Sequence, residues 1–127
     1  MGKEKLRLLI VEDNVDMRKY FVEHFSTVFS ILQAGNGKAG LDLAKKKLPD
    51  LIISDVMMPL MDGISMVRAL KQDTQTSHIP IILLTSRAAM VHQLDGFEKG
   101  AFEYISKPVN IDVLQAKVRA ILENIQH

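Results

Sequence analysis

The sequence contains no cysteine, carries almost no net charge and has no long hydrophobic run. The lack of cysteine excludes a disulfide framework and leaves the redox compartment open. The net charge is +1, and the Lys and Arg residues are scattered except for a run at 45–47, which argues against a nucleic-acid-binding surface. No apolar stretch approaches the roughly 20 residues of a membrane span, and no signal-peptide core follows the first residues, so we expect a cytoplasmic chain without membrane contact.

The composition is that of one ordinary globular domain. Of the 127 residues, 47% are hydrophobic and 24% are charged. A chain of this length buries roughly two-thirds of its unfolded surface, so it needs neither a disulfide nor a structural metal. Since no linker or low-complexity segment interrupts the pattern, we expect a single domain over 1–127.

Short apolar runs bounded by turn residues alternate with helical patterns along the whole chain. Runs of this kind are typical of strands that are buried on both faces of a parallel sheet. The predicted strands are 6–11, 28–33, 51–54, 79–85 and 102–106. Apolar residues at helical spacing predict helices within 17–25, 41–48, 67–70, 90–97 with Gly100 as its cap, and 111–125 with Asn110 as its N-cap.

Five strand-and-helix units in this length predict an α/β fold, a doubly wound five-stranded parallel sheet with helices on both faces. A closed eight-stranded barrel would need about twice as many residues. In an open sheet of this kind, ligands bind just beyond the carboxyl ends of the strands. The residues that follow the strands are therefore the candidates for function.

Polar residues stand at the ends of four of the predicted strands. Glu12 and Asp13 follow the first strand, Asp55 follows the third, Thr85 ends the fourth and Lys107 follows the fifth. Because the carboxyl ends of parallel strands lie at one edge of the sheet, we expect these side chains to converge there. The second strand delivers no ionisable residue, which suits an edge position.

Three carboxylates at one edge require positive charge, because two unit charges about 5 Å apart repel by about 3 kcal/mol at an effective dielectric of about 20. Lys107 supplies one positive charge, and a divalent cation is the natural second. The donors are oxygens, with no cysteine and no nearby histidine, so Mg²⁺ or Mn²⁺ fits better than zinc. Together these groups predict phosphoryl transfer with Asp55 as the nucleophile, since aspartate can form an acyl phosphate.

Four segments carry a family resemblance. They are LLIVEDN at 8–14, SDVMMPLMDG at 54–63, IPIILLTS at 79–86 and EYISKP at 103–108. In this order they resemble the receiver domain of two-component response regulators over about 6–125, and they are most similar to receivers fused to hybrid histidine kinases. The resemblance implies a flavodoxin-like fold with strand order 2-1-3-4-5.

The resemblance implies a role for each residue at the sheet edge. Asp55 accepts a phosphoryl group from a phosphohistidine, and Lys107 pairs with a phosphoryl oxygen. Asp13 and Asp55 ligate Mg²⁺ (or Mn²⁺) directly, and Glu12 does so through a water molecule. Met57 contributes its backbone carbonyl to the same ion.

The resemblance also implies a conformational switch. The Thr85 hydroxyl turns toward the phosphoryl group and the Tyr104 ring moves inward. The Lys107–Pro108 peptide bond is expected to be cis. Although it is no enzyme in the ordinary sense, the domain would catalyse its own phosphorylation and a slow dephosphorylation. Met57 has no polar side chain to hold an attacking water, so we expect it to shield the acyl phosphate.

The implied partners are a histidine kinase or histidine phosphotransfer domain as phosphoryl donor, and an effector domain or protein as receiver of the signal. Neither nucleic acid nor a membrane is expected as a direct partner. A homodimer would use the face formed by the fourth helix, the fifth strand and the last helix.

Three other interpretations have to be weighed. Gly35, Gly37 and Gly40 form a G-x-G-x-x-G pattern after a predicted strand, with Asp55 downstream, which is typical of dinucleotide-binding domains. That pattern follows the second strand rather than the first, and it leaves the acidic residues after the first strand unexplained. A phosphatase of the haloacid-dehalogenase type would carry D-x-D after the first strand, where this chain has EDN. A receiver that only docks would not need the complete set of acidic residues found here.

Overall fold

The computed structural model describes residues 5–94 and 102–125. Five strands alternate with helices in the order expected from the sequence. The elements are β1 (Arg7–Val11), α1 (Val15–Phe25), β2 (Ser30–Ala34), α2 (Gly37–Lys47), β3 (Leu51–Asp55), α3 (Gly63–Gln72), β4 (Ile81–Thr85), a 3₁₀ helix (Ala88–Leu94), β5 (Glu103–Ser106) and α4 (Ile111–Ile125). No helix within the described ranges is both long and apolar enough to cross a membrane.

The strands form one parallel sheet with the order β2-β1-β3-β4-β5, which confirms the predicted doubly wound topology. Neighbouring strands end almost level with one another, because Val11 pairs with Ser54, Asp55 with Leu84 and Thr85 with Ser106. This register brings the residues that follow β1, β3, β4 and β5 to a single edge of the sheet.

The core lies on both faces of the sheet, as a doubly wound fold requires. Leu9 and Ile52 point to the face covered by α2 and α3, whereas Leu8 and Ile53 point to the face covered by α1 and α4. All five residues of β3 and all five of β4 are buried. Each fully buried large apolar side chain contributes about 1.5–3 kcal/mol, so the apolar residues of these two strands add substantially to the stability of the sheet.

Polar caps begin the helices. The side-chain oxygen at each cap accepts a hydrogen bond from the backbone N–H three residues later, which satisfies a donor that the helix itself leaves free. The pairs are Asn14 with Met17, Asn36 with Ala39, Asp62 with Ser65 and Asn110 with Val113. The predicted N-cap role of Asn110 is thereby confirmed.

Two strands begin two residues later than predicted, because the preceding turns hold their first residues. The N–H groups of Val28 and Phe29 donate to the carbonyl of Phe25 at 3.1 and 2.9 Å, so these two residues belong to the turn that follows α1 and not to β2. The N–H of Ile79 donates to the carbonyl of Thr76 at 3.0 Å and closes a turn ahead of β4. Apolar character alone did not separate a strand from a buried turn.

The helix predicted at 90–97 is a 3₁₀ helix over its described part. The N–H of Met90 donates to the carbonyl of Arg87, three residues back, at 3.0 Å, which is the 3₁₀ spacing. Phe97 and the predicted cap Gly100 lie outside the described residues.

Leu48 ends α2 in the left-handed conformation, with φ 48° and ψ 66°. A left-handed residue with a Cβ costs about 1–2 kcal/mol, and Leu48 is 46% exposed, so its side chain offsets little of this cost. We therefore expect Leu48→Gly to raise the free energy of unfolding by about 1 kcal/mol, measured by urea denaturation. Lys47→Gly, one residue earlier and still in the helix, is the control and should lower it. A loss of stability in Leu48→Gly would contradict this account.

Candidate functional site

Three carboxylates meet at the carboxyl edge of the sheet. Glu12 and Asp13 directly follow β1, and Asp55 is the last residue of β3. One carboxylate oxygen from each lies within 4.8 Å of the other two. Glu12 and Asp55 are buried, whereas Asp13 is exposed. The convergence expected from the strand ends is therefore present.

Glu12 is held in the site from both its main chain and its side chain. Its N–H donates to the carbonyl of Ala34 at 3.0 Å, and its Oε2 accepts from the N–H of Asn14 at 3.1 Å. Its Oε1 is buried and has no hydrogen-bond partner among the residues that the structure describes. A buried oxygen of this kind is costly unless something positive or a donor is supplied to it.

The pKa of Glu12 is raised from 4.5 to about 7, chiefly because burial desolvates the ionised form. The neighbouring carboxylates of Asp55 and Asp13 contribute to this rise, while the N–H of Asn14 and the ammonium of Lys107 act in the opposite direction. Near neutral pH, Glu12 is thus poised to exchange a proton for another positive charge.

Lys107 reaches the cluster from the end of β5, the edge strand next to β4. Its Nζ lies 2.9 Å from Asp55 Oδ2, and its backbone N–H donates to the carbonyl of Thr85 at 2.8 Å. This second bond continues the pairing of β5 with β4 by one residue beyond the strand, which fixes where the lysine side chain leaves the backbone. The Lys107–Pro108 peptide bond is cis, the geometry that the resemblance implied.

Both carboxylate oxygens of Asp55 have donors. Oδ2 accepts from Lys107, and Oδ1 accepts from the N–H of Val56 at 2.8 Å. The backbone carbonyl of Asp55 accepts from the buried hydroxyl of Ser54 at 2.8 Å. These bonds present a buried, oriented carboxylate to the cluster rather than a mobile one.

The other predicted site residues lie around this centre in different settings. Thr85 is buried, and its Oγ1 accepts from the N–H of Arg87 at 2.9 Å. Tyr104 and Met57 both have exposed side chains. Thr85 thus lies at the sheet edge with the acidic cluster, whereas Tyr104 is 43% exposed.

The donor set fits a hard divalent cation. Its members are carboxylate oxygens, which Mg²⁺ and Mn²⁺ prefer, and the unpartnered Oε1 of Glu12 is the buried polar atom that such an ion would satisfy. The ammonium of Lys107 is already paired with Asp55, so it does not meet the need of Glu12 directly.

Comparison with known families assigns the chain. A family model described as the response regulator receiver domain matches residues 8–119. The chain belongs to this family. Receiver domains work in two-component signalling, where they interact with histidine kinases or phosphotransfer donors and with effector domains, and they bind Mg²⁺ at an acidic pocket. In this domain, Glu12, Asp13 and Asp55 form an acidic cluster of that kind.

The receiver domain resembles parts of larger proteins. It is 47% identical over 122 residues to histidine kinase P4 of Formosa agariphila, which covers 96% of this chain and 9% of that protein. It is 35% identical over 116 residues to response regulator PleD of Caulobacter vibrioides, which covers 91% of this chain and 26% of that protein. The chain therefore spans about a quarter or less of these curated relatives.

Solved structures agree with this assignment. The signal receiver domain of a signal transduction histidine kinase from Syntrophus aciditrophicus has a TM-score of 0.84 at 31% identity, with 96% of this chain and 93% of that chain covered. Chemotaxis response regulator CheY4 of Vibrio cholerae has a TM-score of 0.78 at 29% identity, with 92% and 98% covered. The predicted flavodoxin-like receiver fold and the likeness to receivers of hybrid histidine kinases are confirmed.

The dinucleotide-binding alternative is not favoured, because packing accounts for its glycines. A Cβ on Gly37 would overlap the carbonyl oxygen of Met61, and a Cβ on Gly40 would lie 2.9 Å from a methyl group of Val11. Both glycines are buried, and they let α2 approach the loop after β3 and the end of β1. They therefore serve the fold rather than a pyrophosphate.

One residue beside the site was missed by reasoning from the sequence. The Arg18 guanidinium donates from Nη1 to the backbone carbonyl of Glu12 at 2.7 Å. The sequence offers no signal for this contact, since Arg18 lies on α1 among exposed charged residues such as Lys19.

Proposed function

We propose that this receiver domain takes a phosphoryl group from a phosphohistidine onto Asp55 and, in that form, controls an effector. The observation that carries the proposal is the buried Asp55 carboxylate, 2.9 Å from the ammonium of Lys107 and clustered with Glu12 and Asp13. A carboxylate so placed has a cation on one side and further carboxylates on the other, which suits it to receive a phosphoryl group.

The chemistry is a direct displacement at phosphorus. A carboxylate oxygen of Asp55 forms the new O–P bond, the N–P bond of the phosphohistidine breaks, and the imidazole leaves with the electron pair. Lys107 neutralises negative charge on the transferred group. Glu12, Asp13, Asp55 and the backbone carbonyl of Met57 would hold Mg²⁺ or Mn²⁺, which supplies charge neutralisation at the phosphoryl oxygens.

The proposal includes a conformational output. Phosphorylation adds about −1.5 to −2 charges, and it can shift the protein only through contacts that differ between two states. Thr85 is the proposed first element of the switch, because its hydroxyl lies at the sheet edge, where its oxygen accepts from the N–H of Arg87 and its O–H can turn to donate to a phosphoryl oxygen. Tyr104, exposed on β5, is the proposed second element.

The same role defines the proposed surroundings of the domain. The donor is a histidine kinase or a histidine phosphotransfer domain, and the recipient is an effector domain or protein. A cytoplasmic location is part of the proposal, since phosphohistidine is formed from ATP. A homodimer through the face of the 3₁₀ helix, β5 and α4 stays a prediction.

The proposal is tested by mass measurement after incubation with acetyl phosphate and Mg²⁺. We expect one phosphoryl group on the wild-type domain and none on Asp55→Asn. Asp62→Asn is the matched control, because asparagine serves equally well as the N-cap of α3 and the adduct should remain. An adduct that persists in Asp55→Asn, or a wild-type domain that takes up no phosphate, would contradict the proposal and favour a domain that only docks.

Met57 is expected to set the lifetime of the phosphorylated form. Its exposed thioether side chain cannot orient a water molecule toward the acyl phosphate, whereas an asparagine amide can. We expect Met57→Asn to speed dephosphorylation several-fold. The rate is measured as the loss of the phosphoryl adduct from the protein mass over time. Leu60→Asn, at an exposed position in the same loop, is the control and should leave the rate unchanged. An unchanged rate in Met57→Asn would remove this role.

A further inference from the structure

Arg18 ties α1 to the turn that carries two of the clustered carboxylates. Its Nη1 donates to the carbonyl of Glu12 at 2.7 Å, and its Nε donates to Gln33 Oε1 at 3.3 Å. The arginine is half-buried, so these bonds are partly protected from competition with water. Arg18 thus spans from helix α1 to the ends of β1 and β2.

The carbonyl that Arg18 binds belongs to the peptide unit between Glu12 and Asp13. A peptide unit is planar, so fixing its carbonyl also fixes the direction of the bonds to both flanking Cα atoms. The N–H of Glu12 is held by Ala34, and its Oε2 is held by the N–H of Asn14. Arg18 therefore adds a restraint on the peptide unit that joins the two Cα atoms bearing these carboxylates.

Gly35 leaves room for this arrangement. A Cβ built on Gly35 would lie 3.2 Å from Arg18 Nη1, which is tighter than ordinary van der Waals contact. The first glycine of the G-x-G-x-x-G pattern thus leaves space for the Arg18 guanidinium. A larger residue there would push against the group that binds the Glu12 carbonyl.

We propose that Arg18 is a positioning residue for the cation site, setting Glu12 and Asp13 through their shared peptide without touching either carboxylate. This inference rests on the proposed use of those carboxylates to bind Mg²⁺ or Mn²⁺. Residues that support metal ligands from outside the coordination sphere typically change metal affinity by about 10- to 100-fold. Because Arg18 acts on main chain, we expect the lower end of that range.

The test is a titration of the whole domain with Mn²⁺, in which the electron paramagnetic resonance signal measures the concentration of free ion. Arg18→Met keeps the aliphatic stem but removes every donor, and it should weaken Mn²⁺ binding about tenfold. Arg18→Lys keeps one donor that can reach the carbonyl, and it should recover most of the affinity. Lys19→Ala, at the next and exposed position of α1, should bind as the wild type does.

The melting temperature in metal-free buffer separates positioning from simple bracing of the helix. A purely structural role would lower the melting temperature of Arg18→Met and leave its Mn²⁺ affinity unchanged, which would overturn the inference. Equal weakening in Arg18→Lys and Arg18→Met would also overturn it, because a restored donor should help. If the wild-type domain bound no Mn²⁺, the proposal that these carboxylates bind a divalent cation would itself be wrong. Wild-type binding with unaltered affinity in Arg18→Met would remove the role of Arg18 alone.

Discussion

Glu12→Gln is expected to raise the free energy of unfolding of the metal-free domain by about 3 kcal/mol at about pH 8, and to change it little at about pH 4.5. In the folded chain, burial first and then the carboxylates of Asp55 and Asp13 raise the pKa of Glu12 from 4.5 to about 7. Glutamine keeps an oxygen to accept the N–H of Asn14, and it carries no charge to be desolvated. The variant therefore removes the cost of ionising a buried group.

The sign follows from proton binding in the two states. Between pH 4.5 and about 7 the folded domain holds a proton on Glu12 that the unfolded chain has lost, so stability falls as the pH rises through this range. Below pH 4.5 both states are protonated, and above about 7 the full cost is present. The difference in free energy of unfolding between the variant and the wild type should therefore grow from pH 4.5 to about pH 7 and stay constant above that.

Urea denaturation at several pH values, in buffer containing a chelator, measures this difference. Glu23→Gln, which changes an exposed carboxylate on α1, is the matched control and should show no such divergence from the wild type. Mg²⁺ should narrow the gap at about pH 8, because the ion stabilises only a folded site that binds it and the glutamine variant binds it less well. If the difference in free energy of unfolding between variant and wild type did not depend on pH, the ionisation of Glu12 would not be what destabilises the folded domain.

The acidic centre could be predicted because its residues lie at the ends of buried strands or directly after them in the sequence. All residues of β3 and β4 are buried, so each strand reads as an unbroken apolar run that stops at a polar residue. Parallel pairing then places Asp55, Thr85 and the residues after β1 and β5 at one edge. Strand order and register bring Lys107 to the same edge as Asp55, and the long lysine side chain then places its Nζ 2.9 Å from Asp55 Oδ2.

The groups that support the centre could not be predicted, because they depend on how the elements pack. The bond from Arg18 to the carbonyl of Glu12 exists only once α1 lies against the sheet, and helical periodicity gives Arg18 no special place. The unpartnered Oε1 of Glu12 likewise reflects its final degree of burial, 2% exposed. Leu48 continued the apolar spacing of α2, yet it ends that helix in the left-handed conformation.

Gly37→Ala is expected to lower the free energy of unfolding by about 3 kcal/mol, even though alanine is the better helix former. A Cβ on Gly37 overlaps the carbonyl oxygen of Met61 and lies 2.7 Å from its carbonyl carbon. Both are backbone atoms, so no side-chain rotation removes the collision. Helix α2 and the loop that leads from Asp55 to α3 must then move apart.

Ala39→Gly, at an exposed position in the same turn of α2, is the control that measures helix propensity without a collision. It should cost about 1 kcal/mol, well below the loss in Gly37→Ala, when both are compared by urea denaturation in Mg²⁺. If Gly37→Ala were as stable as the wild type, α2 would not be seated against the Met61 carbonyl. The small residue at position 37 would then need another explanation. A large loss instead assigns Gly37 to the contact that holds α2 against the loop following β3.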